Sequence, residues 1–221
     1  KFYEIHYCDQ QYRRSAGECL RKGETAAQQE LFDFLLCVGQ TFEESRSIGD
    51  FLKKNGELVV LPTFLIDFSD MGECLCELYP EGYQLAPNLH FLGRAGILDI
   101  QGIRIAFLNG LRFPGTLPPH TAFTGHYYSA QDIQKVLSQL SSLREEGELR
   151  EDRGVDVFIN CEWPSQVVDR AEKESLGLAN RPEVFSAELN DLLDALSPDT
   201  TSWEAQVSST KDSLTPTSSI T

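Results

Sequence analysis

Gly154-Val-Asp-Val-Phe-Ile-Asn-Cys-Glu-Trp-Pro164 is the stretch that decides the fold. Val155, Val157, Phe158 and Ile159 make a short apolar run, read as a strand buried on both faces, the kind found inside a parallel sheet. The run stops at Asn160-Cys161-Glu162, a polar trio with metal-binding chemistry. Trp163-Pro164 then closes the turn, because proline has no N–H to give a sheet ladder. Open α/β sheets place their ligands at the carboxyl ends of such strands.

Two upstream segments repeat the pattern. Residues 31–38 are an apolar strand ended by Gly39-Gln40. Residues 58–66 are a second, split by Pro62 so that 63–66 is the paired portion, with Asp67-Phe68-Ser69-Asp70 at its carboxyl end. Helices are expected over 43–55, stopped by Gly56, and over 71–79, stopped by Pro80-Glu81-Gly82. A strand over 89–92 precedes a hairpin, signalled by Gln101-Gly102 between two apolar runs. Residues 111–128, rich in Pro, Gly, Thr and aromatics and carrying His120 and His126, read as a surface loop bordering a pocket, although lone loop histidines are usually plain surface residues. Ser129 and Asp132 resemble a capping box before Ile133, Val136, Leu137, Leu140 and Leu143, one face of an amphipathic helix. Helices over 165–175 and 184–196 follow, the latter with Phe185, Leu189, Leu192 and Leu193 on one face.

At the start, Phe2, Ile5, Tyr12 and Leu20 suggest a helix followed by a variable loop over residues 1–30. From Ser197 the chain is Ser, Thr, Pro and Asp with little to bury, so 197–221 reads as a disordered tail. The four parts are then 1–30, a main domain over 31–167, a helical extension over 168–196 and the tail.

Composition narrows the function. The 221 residues carry 34 acidic against 19 basic side chains, a formal net charge of -15. Phosphate backbones repel such a surface, so tight direct RNA binding by this chain is not expected. No apolar run reaches the ~18 residues of a membrane span, and no secretory leader is visible. The six cysteines, with Cys74 and Cys76 in C-x-C rather than C-x-x-C spacing, read as reduced thiols of an intracellular protein.

Carboxylates, amides and imidazoles converging from several strand ends are what a two-metal phosphoesterase uses to hold its ions. At this level the chain resembles the calcineurin-like metallophosphoesterases, a β-sandwich flanked by helices, and within them the lariat-debranching branch. Phe158-Ile-Asn-Cys-Glu-Trp-Pro164 stands where debranching enzymes carry a strand ending in Ser-His-Asp-Trp-Pro. The nearer match is the CwfJ family, the CWF-nineteen-like splicing proteins. It rests on Asp33-Phe-Leu-Leu-Cys-Val-Gly39, Phe91-Leu-Gly-Arg-Ala-Gly-Ile97, Gly102-Ile-Arg-Ile-Ala-Phe-Leu-Asn-Gly110 and Tyr128-Ser-Ala-Gln-Asp-Ile133.

The resemblance implies where a site would lie and what stands there. Gln40, beside Gly39, replaces a bridging aspartate. Asp67, Phe68, Ser69 and Asp70 replace Gly-Asn-His-Glu, so Ser69 stands at the catalytic histidine. Cys161, between Asn160 and Glu162, replaces a metal-binding histidine. The first Asp-x-His motif would fall before Lys1, which suggests a truncated start and a sheet lacking its first strand. Asp67, Asp70, Cys161 and Glu162 make a chemically possible set for one zinc ion, with Glu162 otherwise a solvent-exposed turn residue. The expectation is therefore a vestigial pocket with no catalytic residue, no metal ligand and no cofactor. The implied protein is a noncatalytic nuclear splicing factor docking on the lariat debranching enzyme and spliceosomal proteins; it would touch RNA only indirectly or through other domains. An active phosphodiesterase with rearranged ligands is the alternative.

Overall fold

The computed structural model describes residues 3–8, 33–39, 41–42, 47–55, 61–67, 69–112, 127–149, 154–160, 162–164, 185–186, 188–197 and 200–203. They fall into two compact units, the first running to Arg94 and the second beginning at Ala95.

The first unit is built on a five-stranded sheet. Strands β1 (Tyr3–Cys8), β2 (Phe34–Gly39), β3 (Thr63–Asp67), β4 (Tyr83–Ala86) and β5 (Leu89–Phe91) lie in the order β1-β2-β3-β5-β4. All pairs are parallel except β4 with β5. The unbroken apolar run of β2 is buried at every position, as a central parallel strand requires. Pro62 sits just outside β3, and its carbonyl accepts from Leu35 N at 2.9 Å, so the proline caps the strand instead of interrupting it. Helices α1 (Ile48–Asn55) and α2 (Asp70–Leu78) supply Phe51, Leu75 and Cys76 to a core shared with Cys37, Leu65, Leu89 and Phe91.

The second unit carries a four-stranded sheet. It contains β6 (Ala95–Ile100), β7 (Ile103–Leu108), β10 (Val157–Asn160) and β13 (Thr200–Trp203), in the order β13-β10-β7-β6. The β6–β7 hairpin turns through Gln101 at φ 56° and Gly102 at φ 80°, the left-handed pair of a two-residue loop. Two short parallel pairs accompany the sheet: β8 (Leu111–Arg112) with β9 (Tyr127–Tyr128), and β11 (Trp163–Pro164) with β12 (Phe185–Ser186). Helix α3 (Ala130–Glu145) begins with the full capping box, Ser129 Oγ accepting from Asp132 N and Asp132 Oδ2 from Ser129 N. Its Val136 and Leu140 join Phe158, Ala106 and Leu108 in one core, together with Leu189, Leu192 and Leu196 of α4 (Glu188–Leu196).

Several expectations change. Tyr3–Cys8 is a strand, not a helix, and fills the place beside β2, so the reading of a sheet without its first strand is corrected. Tyr3, Ile5 and Tyr7 alternate with a period of two, the strand signal, which a helical spacing had masked. Thr200–Trp203, placed in a disordered tail, pairs in register with β10. Two threonines and a tryptophan have strand propensity, and the ladder supplies what the segment lacks in apolar bulk. The helix α4 is part of the second core, not an extension to it. The ties are tight at its end: Val155 N donates to Leu196 O at 3.0 Å, and a Cβ at Gly154 would lie 1.8 Å from that oxygen. The helices expected at 43–55 and 184–196 begin later, at Ile48 and Glu188. The helix expected over 165–175, the loop with His120 and His126, and residues 204–221 lie outside the described residues.

Candidate functional site

In the first unit the register of three parallel strands sets their carboxyl ends side by side. Cys8 pairs with Gly39, and Gly39 with Asp67. Gly39 takes φ 124°, a conformation that strains any residue with a Cβ, so the chain can turn sharply off β2 at that edge. The sequence places Gln40 directly after Gly39. Gln40 and Phe68 lie outside the described residues.

Asp67 closes this edge. It is 1% exposed, and its carboxylate takes hydrogen bonds on both oxygens. Oδ1 accepts from Ser69 N at 2.9 Å and from Ser69 Oγ, and Oδ2 accepts from Phe42 N at 3.1 Å. Burial pushes its pKa from 3.8 up to about 6, against the Ser69 side chain and the backbone N–H groups of Ser69, Phe42 and Thr41, which pull it down. Ser69 is the N-cap of α2, its Oγ accepting from Gly72 N at 3.3 Å, and Asp70 is the exposed first residue of that helix. Thr41 Oγ1 is buried without a hydrogen-bond partner among the described residues.

In the second unit β10 ends at Asn160, 1% exposed, followed by Cys161, which lies outside the described residues. Asn160 Oδ1 accepts from Glu162 N at 2.8 Å, while its Nδ2 is buried with no partner among the described residues. Glu162 is 3% exposed, which corrects its reading as a solvent-exposed turn residue. Oε1 accepts from Arg112 N and Oε2 from Tyr128 Oη, both at 2.7 Å. One carboxylate thus fastens β8 and β9, the strands on either side of residues 113–126. Burial raises its pKa; the Arg112 N–H, the Tyr128 hydroxyl and the Arg112 charge oppose the shift, and Glu188 reinforces it. Arg112 meets Glu188 at 2.8 Å, a half-exposed pair worth little by itself.

The expected residues are therefore distributed between the units: Gly39, Asp67, Ser69 and Asp70 stand at one edge, and Asn160 and Glu162 at the end of β10. Among the described residues no three His, Cys, Asp or Glu side chains gather as metal ligands. Neither Asp67 nor Glu162, each taken within its own unit, fits as a metal-binding carboxylate. Their oxygens point at protein N–H and O–H donors, which satisfy the negative charge that a cation would otherwise take. The bonds from Phe42, Tyr128 and Arg112 escape a sequence reading because those donors are 25, 34 and 50 residues away. Among the described residues no helix is long and apolar enough to cross a membrane, and Cys37, Cys74 and Cys76 are free thiols.

No protein-family model matches the chain. Individual proteins do. The chain is similar to the lariat debranching enzyme of Drosophila melanogaster, 30% identical over 200 residues, covering 75% of this chain and 35% of that protein. It is 24% identical over 188 residues to the Caenorhabditis elegans lariat debranching enzyme, covering 72% of this chain and 36% of the relative. The Schizosaccharomyces pombe enzyme is 25% identical over 186 residues, covering 72% and 37%. The chain thus spans little more than a third of the length of these relatives.

These matches correct the expectation of a chain without catalytic activity. The relatives are named for a phosphodiesterase activity, so the chain's kinship is with enzymes. The contrary inference leaned on Gln40, Ser69 and Cys161, and two of those three lie outside the described residues. The mixed α/β architecture is consistent with the metallophosphoesterase-like fold of those enzymes, and over three quarters of its length the chain is homologous to lariat debranching enzymes.

Proposed function

We propose that the protein acts on intron lariats as a phosphodiesterase of the debranching type, with this chain as its metallophosphoesterase-like part. The observation that carries this reading is the similarity, over three quarters of the chain, to enzymes named for lariat debranching. Two features of the geometry support it. The carboxyl ends of β1, β2 and β3 are aligned at Cys8, Gly39 and Asp67, the edge at which open α/β sheets hold ligands. At the end of β10, Asn160 Nδ2 is a buried donor without a partner among the described residues, suited to an oxygen of a phosphodiester. A finer placement with the CwfJ proteins draws support from the segments at 33–39, 91–97 and 102–110. The same reading puts the protein in the nucleus, with spliceosomal proteins and a lariat debranching enzyme as partners. With a net charge of -15 here, the RNA is held mainly by other parts of the protein.

Depletion of the protein from cells tests this reading. Intron lariats are expected to accumulate, with rescue by the wild type and not by Asn160→Ala. Lariat levels unchanged by depletion, while linear introns or unrelated RNAs change instead, would remove lariats as the substrate class.

A further inference from the structure

We propose that Asp67 is a positioning residue that pins the turn after β2 to the start of α2, and that it does so through protein donors alone, with no metal ion. The turn after β2 carries Thr41 and Phe42, which follow Gln40 in sequence; the start of α2 carries Ser69 and Asp70. As a positioning role in catalysis this rests on the debranching reading above, whereas the pin itself does not.

The geometry is that of a two-sided fastener. Oδ2 holds Phe42 N at 3.1 Å, on the far side of Gln40 from the strand. Oδ1 holds Ser69 through both its backbone N–H and its hydroxyl. The Phe42 ring is buried and meets Phe51 edge-on at 4.9 Å, so the turn is anchored on its other side by the core. The sequence also makes room for the fastener. A Cβ at Gly72 would lie 2.2 Å from Asp67 O and 2.5 Å from Asp67 Oδ1, so the first turn of α2 closes on Asp67 only because residue 72 is glycine. With Asp67 1% exposed and both oxygens taking hydrogen bonds from the protein, a hydrated cation has no open approach to it among the described residues. Pinning two strand-end turns is worth more than local stability, since displacing a reacting group by about 1 Å costs on the order of a hundredfold in rate.

The test uses the full-length protein as wild type, Asp67→Asn and Ser69→Ala. The Asp67→Asn substitution keeps the volume and an oxygen for Ser69 but turns an NH₂ toward Phe42 N–H, so only one side of the fastener opens. Amide exchange is expected to quicken at Phe42 by roughly tenfold or more in Asp67→Asn, with Ser69 still protected; Ser69→Ala should leave Phe42 protected. A chelator should leave wild-type exchange at Phe42 unchanged. On a branched RNA substrate, kcat of Asp67→Asn should fall roughly tenfold with KM within about twofold. Wild-type Phe42 exchange or Tm that shifts with chelator, in a way that Asp67→Asn abolishes, would make Asp67 a metal ligand and overturn the proposal. Unchanged Phe42 exchange in Asp67→Asn would overturn it as well. If exchange responds as expected but the wild type cleaves no branched RNA, the debranching reading fails and the metal-free pin stands.

Discussion

Asp67 and Glu162 are buried carboxylates whose charge is held by neutral donors, and both have pKa values pushed upward by burial. For Asp67 the consequence has a definite sign. Its pKa is 3.8 in the unfolded chain and about 6 in the fold, so the folded state holds the proton more tightly. Stability from this group is fully present below about pH 4 and is lost as pH rises through about 6. Urea titrations should therefore show wild type gaining on Asp67→Asn as pH falls from 7 to 4, by up to roughly 3 kcal/mol; a gain in the opposite direction contradicts the assignment. Tyr128→Phe removes a hydroxyl donor from buried Glu162 and should cost about 1–3 kcal/mol in the same measurement. Gly72→Ala should be more damaging than a helix propensity scale suggests, because the new methyl meets the backbone and carboxylate of Asp67. Alanine is the better helix former, so a loss of more than about 2 kcal/mol would be diagnostic of that clash.

Elements whose signal is local were legible in the sequence. The Gln101-Gly102 turn, the box from Ser129 to Asp132 and the apolar spacing of α3 each contain their own instructions within a few residues. Ser129→Ala should cost about 1 kcal/mol and leave the rest of the fold intact, read by thermal unfolding. Central strands β2, β3 and β10 were legible for a related reason: burial on both faces leaves an unbroken apolar run. The edge strands β1 and β13 were not. Strand β1 is a short alternation amid charged residues, and β13 is mostly Thr and Ser; each is stabilised by a ladder partner that lies far along the chain. The same limit hid the candidate site. The polar residues at the strand ends were visible, but their state was not: Asp67 takes one donor, Phe42 N, from the turn after another strand, and Glu162 takes its donors from β8 and β9. Gln40, Ser69 and Cys161, set against the motifs of the resembled family, read as a dead site, and the homology to proteins named as debranching enzymes overturns that reading.

At the scale of the molecule, two features set the expectations. The chain covers only 35% of the length of the Drosophila melanogaster relative, so the proposed activity is tested on the full-length protein. The charge of -15 also predicts that this chain alone binds RNA weakly, through contacts that added salt abolishes; a tight complex persisting at high salt, in a filter-binding titration, would contradict that view of the surface. Debranching as proposed is read from cleavage of a purified branched RNA by the full-length protein, with and without added Mn²⁺, beside a known debranching enzyme. A linear product cut at the branch is expected, with a large loss of rate in Asn160→Ala; intact branched RNA in every condition where the control enzyme cleaves would overturn the proposed function.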